Sequence, residues 1–266
     1  MNSPVFTLVR GSAPLLVSIP HAGTEIPPEQ LERMTPEARF LDDTDWHVPE
    51  LYAFARDLGA SILTARYSRY VVDLNRPRDD QSLYPGQSTT GLCPIDTFAE
   101  VPLYPRGQEP SAEEIVRRVE TYWVPYHHAL QGELERLRSH HQNVCLWDAH
   151  SIASVVPRFF EGRLPDFNIG TNSGASCAPG LGEEILALAQ TVPGATSVLN
   201  GRFKGGAITR TYGAPDRGIH AVQLELAQSA YLVEGRPYAW NPDRAPATQR
   251  ALARLVTSAL RFVTGK

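Results

Sequence analysis

Asn143-Val-Cys-Leu-Trp-Asp-Ala-His-Ser151 decides how this chain is read. Val144 to Trp147 is an apolar run of strand length, and it stops at Asp148, Ala149 and His150. In an α/β protein the carboxyl end of a buried strand is where ligands bind, so an imidazole there is held rigidly over a crevice. Pro14-Leu-Leu-Val-Ser-Ile-Pro-His21-Ala-Gly-Thr has the same form: an apolar run, a histidine, then small residues. Two histidines, each delivered by a strand end, form half of a metal site. An isolated core histidine usually just hydrogen-bonds a backbone carbonyl, but the matched placement of His21 and His150 favours ligation.

Working outward, residues 15 to 19 read as a strand closed by the turn Pro20 to Gly23. Asp42-Asp43-Thr44-Asp45 has helix-capping chemistry and precedes an amphipathic helix over Val48 to Leu58, ended by Gly59. Ser61 to Ala65 and Tyr70 to Leu74 read as strands. From Arg78 to Pro110 regular patterning is lost among proline and turn formers, which predicts a long ordered loop covering a site. Ser111 starts a helix that runs to Leu137, kinked at Pro125. Strands are expected at Asn168 to Asn172, Ala195 to Leu199 and His220 to Ala227, with helices at Leu181 to Gln190 and Ala245 to Val263. Gly201 to Arg210 is punctuated by glycine and should bend tightly. Strands alternating with helices predict an α/β fold: a mixed, mostly parallel central sheet flanked by helices. No repeat or composition break divides residues 1–266, so a single domain is expected.

The 266 residues are 42% hydrophobic and 20% charged, ordinary for a globular protein with a substantial core. A formal net charge of −4 gives no reason to expect nucleic acid or an anionic membrane as partner. No apolar run reaches the ~18 residues of a membrane span. Cys93, Cys145 and Cys177 are odd in number and widely spaced, which suggests reduced thiols in a cytoplasmic protein. Oligomeric state is left open.

A hydrolytic zinc site needs three protein ligands and an open position. The third ligand beside His21 and His150 is either Asp45 or Glu25. Asp45 is preferred, because clustered carboxylates repel unless a cation is present. His127-His128 and His140-His141 are read as belonging to the solvated face of a helix. Glu225 shares a strand face with Gln223 and Ala227, opposite Val222, Leu224 and Leu226. A carboxylate in so apolar a strand is either a structural ion pair or, as favoured here, a general base. Arg69, Arg76, Arg202, Lys204 and Arg210 supply cations near strand ends and glycine turns, suited to a small-molecule substrate that carries carboxylates.

Val17-Ser-Ile-Pro-His-Ala-Gly, Asp43-Thr-Asp-Trp-His, Asp73-Leu-Asn-Arg-Pro, Tyr84-Pro-Gly with Thr90-Gly-Leu-Cys-Pro, Asp148-Ala-His-Ser, Phe203-Lys-Gly-Gly and Gln223-Leu-Glu-Leu-Ala together resemble the N-formylglutamate amidohydrolases. Each motif is short; the ordered set, spanning roughly residues 5 to 262, is specific. The family is similar to the zinc carboxypeptidase and aspartoacylase group. The resemblance implies one Zn2+ or another divalent transition metal per chain, ligated by His21, His150 and an acidic residue. It implies Glu225 as general base, Arg69 beside the oxyanion, Asn75 and Arg76 gripping substrate, and Arg210 with Arg202 on the distal carboxylate. The implied reaction is hydrolysis of N-formyl-L-glutamate to formate and L-glutamate, the last step of one bacterial histidine-degradation route. The alternatives are hydrolysis of another N-acyl amino acid, of the acylaspartate or succinyl-amino acid type, and non-catalytic binding of an acidic ligand through the arginines. The wider group has His-x-x-Glu at its first ligand, whereas His21-Ala-Gly-Thr-Glu25 is one residue longer, which keeps Asp45 first.

Overall fold

A computed structural model describes residues 4–83 and 85–265; Tyr84, quoted in one motif above, lies outside them. The strands are β1 (Phe6–Val9), β2 (Leu15–Ile19), β3 (Ser61–Ala65), β4 (Val144–Ile152), β5 (Phe167–Gly170), β6 (Ser197–Leu199) and β7 (Ile219–Ala227). The α-helices are α1 (Pro28–Leu31), α2 (Val48–Leu51), α3 (Ala112–Arg118), α4 (Val124–Arg138), α5 (Leu181–Ala189), α6 (Ala207–Tyr212) and α7 (Ala245–Thr264).

The strands form one sheet in the order β1-β3-β2-β4-β7-β5-β6. β1 pairs antiparallel with β3 and β5 antiparallel with β7, while the other four pairings are parallel. The expected mixed, mostly parallel α/β sheet is therefore observed. Because β3 lies on one side of β2 and β4 on the other, the chain reverses its winding direction at β2 and β4. Such a switch point opens a crevice at the strand carboxyl ends.

Period-two alternation assigns the two faces. Leu15, Val17, Cys145, Trp147, Val222 and Leu224 pack with α2, α5 and α7. Leu16, Leu146 and Ala221 face the other way, against Tyr126, Leu130 and Leu134 of α4. On that second face the side chains turn polar toward the carboxyl ends: Ser18, Asp148, His150, Gln223 and Glu225, all buried. Burial of so many polar groups at one place needs partners or a ligand.

Four elements differ from the sequence expectation. β4 does not stop at Trp147 but pairs with β7 through to Ile152, since buried polar residues continue a ladder as well as apolar ones. Tyr70 to Leu74 is a turn, not a strand: Ser68 Oγ accepts from Tyr70 N at 3.2 Å and Ser68 O from Val71 N at 2.9 Å. Its β-rich composition reflects burial, with Tyr70, Val71 and Val72 in the core. The Val48 to Leu58 helix breaks after α2 into a 3-10 turn at Ala53–Arg56, with Tyr52 drawn inward to accept from Trp147 Nε1 at 2.9 Å. No acidic side chain caps α2; its N-cap is His47. The glycine-punctuated segment contains the short helix α6. The 78–110 loop is irregular, as expected. The three cysteines are free and buried. Among the described residues no helix is long and apolar enough to cross a membrane.

A π turn, Val119–Trp123, joins α3 to α4 just before Pro125, which lacks the amide needed to continue the helical ladder. The extra residue rotates the first turns of α4, so His127 faces inward beside Tyr126 and is not on a solvated face as expected. His128 and His140 are exposed, and His141 is half-buried. His127 Nε2 donates to Leu74 O and its Nδ1 accepts from Tyr212 Oη, both at 2.8 Å, while its ring stacks on Trp123 at 3.6 Å. Burial pushes its pKa down to about 4. Because the folded value lies below the unfolded one, the unfolded chain takes up a proton first as pH falls. Stability is then lost between about pH 6.5 and 4, by about 3 kcal/mol from this residue. Replacing His127 with glutamine is expected to flatten the dependence of the melting temperature on pH across that window; an unchanged slope would show that another group governs it.

Candidate metal centre

Three segments converge at the carboxyl ends of β2 and β4. His21 follows β2 after Pro20, and its carbonyl accepts from Asp45 N at 3.1 Å, which fixes the acidic segment alongside. Gly23 lets the backbone at Tyr67 pass close by: a Cβ at Gly23 would sit 2.2 Å from Tyr67 O. That contact brings Arg69 and Asp73 beside His21.

The Nδ1 atoms of His21 and His150 lie 3.1 Å apart. Asp45 Oδ2 is 3.8 Å from the first and 3.4 Å from the second, and all three side chains are buried. Ligand atoms around a tetrahedral zinc with bonds of about 2.0–2.2 Å are separated by about 3.3 Å, so these three edges fit a cation. The outward nitrogens are each tied to a carboxylate. His21 Nε2 donates to Asp73 Oδ1 at 2.7 Å, and His150 Nε2 lies 3.1 Å from Asp148 Oδ2. Such outer carboxylates fix the tautomer that leaves the inner nitrogen free to ligate. Asp45 Oδ2 accepts from Ser151 N at 3.1 Å, which aims it at the two imidazoles, while Oδ1 lies 3.9 Å from Arg69 Nη1. The donor set therefore fits a divalent transition metal.

The two imidazoles have opposite electrostatics. Burial and the nearby Arg69 hold His21 below the usual histidine pKa. Against the same burial, Asp148 and Asp45 hold His150 well above it. Asp73 stays far below the carboxylate range, despite burial, because His21, Arg69 and Arg76 surround it. Glu25, the alternative ligand, is elsewhere: its carboxylate pairs with Arg66 at 2.6 Å on the surface.

Glu225 is the register partner of His150 across β4 and β7, so the two side chains stand side by side on one sheet face. Burial pushes its pKa up to about 8. Among the described residues no Lys or Arg lies within 4.0 Å of it; Gln223 Nε2 donates to its Oε2 at 3.3 Å. Gln223 Oε1 in turn accepts from Gly206 N at 2.7 Å.

These groups open into a common cleft. Arg69, Asn75, Arg76, Arg202, Phe98 and Glu225 line it, together with Thr90 and Ser88 from the long loop. Arg69 donates to Asp73 Oδ2 at 2.8 Å and lies 3.5 Å from His21 Nε2; its Nε has no partner. Asn75 Nδ2 is 3.0 Å from His150 Nε2, and its Oδ1 accepts from Ile208 N at 2.8 Å. A Cβ at Gly206 would stand 2.4 Å from that amide, so the glycine makes room for it. His127 and Trp123 hold the carbonyls of Leu74 and Arg76, clasping Asn75 from both sides. Arg202 Nε donates to Phe159 O at 2.6 Å. Arg210 is not on the cleft wall; it donates to Gly205 O at 2.8 Å and Leu83 O at 3.3 Å, joining two loops behind it.

Asp73, Asp148, Gln223 and Phe98 were not singled out as site residues from sequence. Asp148 had a signal, two residues before His150 on the same strand face, and so did Gln223 before Glu225. Asp73 and Phe98 lie in segments whose path only the tertiary fold determines.

A model of the N-formylglutamate amidohydrolase family matches residues 13–232. The chain is 53% identical over 256 residues to an N-formylglutamate deformylase of Pseudomonas aeruginosa, covering 96% of each. It is 52% identical to one of Pseudomonas putida at the same coverage. The crystal structure of an N-formylglutamate amidohydrolase from Ralstonia eutropha superposes with a TM-score of 0.82 at 26% identity, covering 97% of this chain and 98% of that one. A gene product of Agrobacterium tumefaciens, at 19% identity and a TM-score of 0.72, shares the fold over 98% of this chain and 97% of its own.

Proposed function

The chain belongs to the N-formylglutamate amidohydrolase family, and from that premise we propose that it hydrolyses N-formyl-L-glutamate to formate and L-glutamate at a divalent cation held by His21, Asp45 and His150. The observation that carries the reading is the inward triangle of two imidazole nitrogens and one carboxylate oxygen, each imidazole backed by its own carboxylate, with the buried Glu225 beside it. Zn2+ or a similar ion, one per chain, would supply Lewis acidity, polarising a carbonyl and acidifying water.

The residues divide the remaining work. Glu225 takes a proton from the water whose oxygen attacks the formyl carbon. It then delivers that proton to the amine nitrogen as the carbon–nitrogen bond breaks. A raised pKa suits a group that must both accept and release a proton near neutrality. Arg69, fixed by Asp73, stabilises the charge that builds on the carbonyl oxygen. Arg76 and Arg202 on the cleft wall hold the glutamate carboxylates, with Asn75 between Arg76 and the metal centre. Arg210 supports the walls they stand on. In this reading the enzyme works in the cytoplasm and closes a bacterial histidine-degradation route.

Metal analysis of the purified protein, with formate release from N-formyl-L-glutamate measured before and after chelation, tests the proposal. The expected result is one divalent ion per chain, and turnover lost to chelator and restored by metal. Formate release that chelator leaves untouched would remove the cation, and absence of release would remove the substrate.

A further inference from the structure

Two cavities meet at one aromatic ring. Phe98 and Ile152 line the catalytic cleft and also a second cavity, which extends past them to Ala153, Val156 and Tyr238. Phe98 is held from three directions. Its N–H donates to Asp43 Oδ2 at 2.9 Å, the Arg69 guanidinium lies 4.8 Å above its ring, and Phe159 meets it edge-on at 5.0 Å. Through Arg69, which is 3.5 Å from His21 Nε2, the ring stands one side chain away from the metal centre.

The chemistry of the cleft wall divides the substrate. Arg76, Arg202 and Asn75 offer charge and hydrogen bonds, whereas Phe98 and Ile152 offer only hydrocarbon. A substrate that gives its carboxylates to the arginines leaves its acyl substituent for the apolar stretch. We propose that Phe98, backed by Ile152, sets the acyl-size limit of the reaction: it admits the formyl hydrogen and excludes a carbon chain, and without its ring the cleft opens into the second cavity. The inference rests on the hydrolase reading above. The second cavity also carries Asp42, Asp43 and Glu234, so an acyl tail admitted there has to be uncharged.

The test compares kcat/KM of the metal-loaded wild type, Phe98→Ala, Phe98→Leu and Ile152→Ala on N-formyl-, N-acetyl-, N-butyryl- and N-succinyl-L-glutamate, reading released glutamate. In Phe98→Ala the acetyl-to-formyl and butyryl-to-formyl ratios are expected to rise by roughly 10- to 100-fold, the range that a methylene or two commands in an apolar pocket. Phe98→Leu and Ile152→Ala should move the ratios the same way by less, and the succinyl ratio should not rise. Ratios cancel any general loss of rate from disturbing Arg69, and the two milder variants decide the matter if Phe98→Ala does not fold. A wild type that releases formate while no folded variant shifts the ratios would overturn the role of Phe98. A parallel rise for succinyl would overturn the acidic character assigned to the second cavity. A wild type inactive on the formyl compound would instead sink the hydrolase reading.

Discussion

Glu225→Gln is expected to lower kcat by about 10²- to 10⁴-fold, the usual contribution of a general base, with metal content unchanged and the fold at least as stable. The side chain is buried within β7, and glutamine keeps its shape. The amide of Gln223 is anchored by Gly206 N, and its contact with Glu225 is a long 3.3 Å, so the substitution costs no strong hydrogen bond there. What the variant removes is the group able to take a proton beside His150. Stability follows from the raised pKa: a buried carboxylate that resists ionising costs the folded state more as pH climbs above the ordinary carboxylate range, and a neutral amide has no such cost. Had Glu225 been half of a structural ion pair, the substitution would destabilise the protein and spare turnover. Wild-type kcat in a metal-loaded Glu225→Gln enzyme would take the residue out of the reaction.

Asp45→Asn is expected to weaken metal binding by roughly 100-fold or more and to abolish turnover at stoichiometric metal, because even the outer partners of ligands are worth 10- to 100-fold. Asparagine can still accept from Ser151 N, now 3.1 Å from Asp45 Oδ2, so the backbone contact survives and the loss falls on charge. Glu25→Gln is the matching control. Its carboxylate serves Arg66 at the surface, and both metal content and turnover should stay at wild-type level. Dialysis against a graded metal buffer, followed by metal analysis, separates the two. Full retention of metal by Asp45→Asn would exclude Asp45 as a ligand.

Much of this site was legible in the sequence because strand ends advertise themselves. An apolar run, then a histidine, then small residues marked His21 and His150, and the period-two pattern around Glu225 assigned its face correctly. Other parts could not be read that way. The strand β4 continues through Asp148 and His150 because β7 pairs with it there, and hydrophobic patterning is blind to polar residues buried by a partner strand. Tyr70 to Leu74 carries strand composition, yet its backbone turns to place Arg69 and Asp73 against His21, so function and burial override local preference. His127 reads as one of a helical surface pair until the extra residue of the π turn swings it inward. Arg210 has the right chemistry in the right segment, but α6 carries it behind the wall instead of onto it.

His150 and Glu225 occupy opposite rungs of one parallel ladder. Adjacent strands keep a spacing of about 4.8 Å that loops cannot adjust. In the proposed reaction the sheet acts as a ruler between cation and proton acceptor, its span inherited from backbone pitch and not from the loops around the cleft. Loops are free to drift in length and composition and so to retune which molecule enters, while the reacting span stays constant. Sliding either strand by a single residue would turn one of the two groups to the opposite face, under α2, α5 and α7, so the proposed chemistry would be lost in one step and not by degrees.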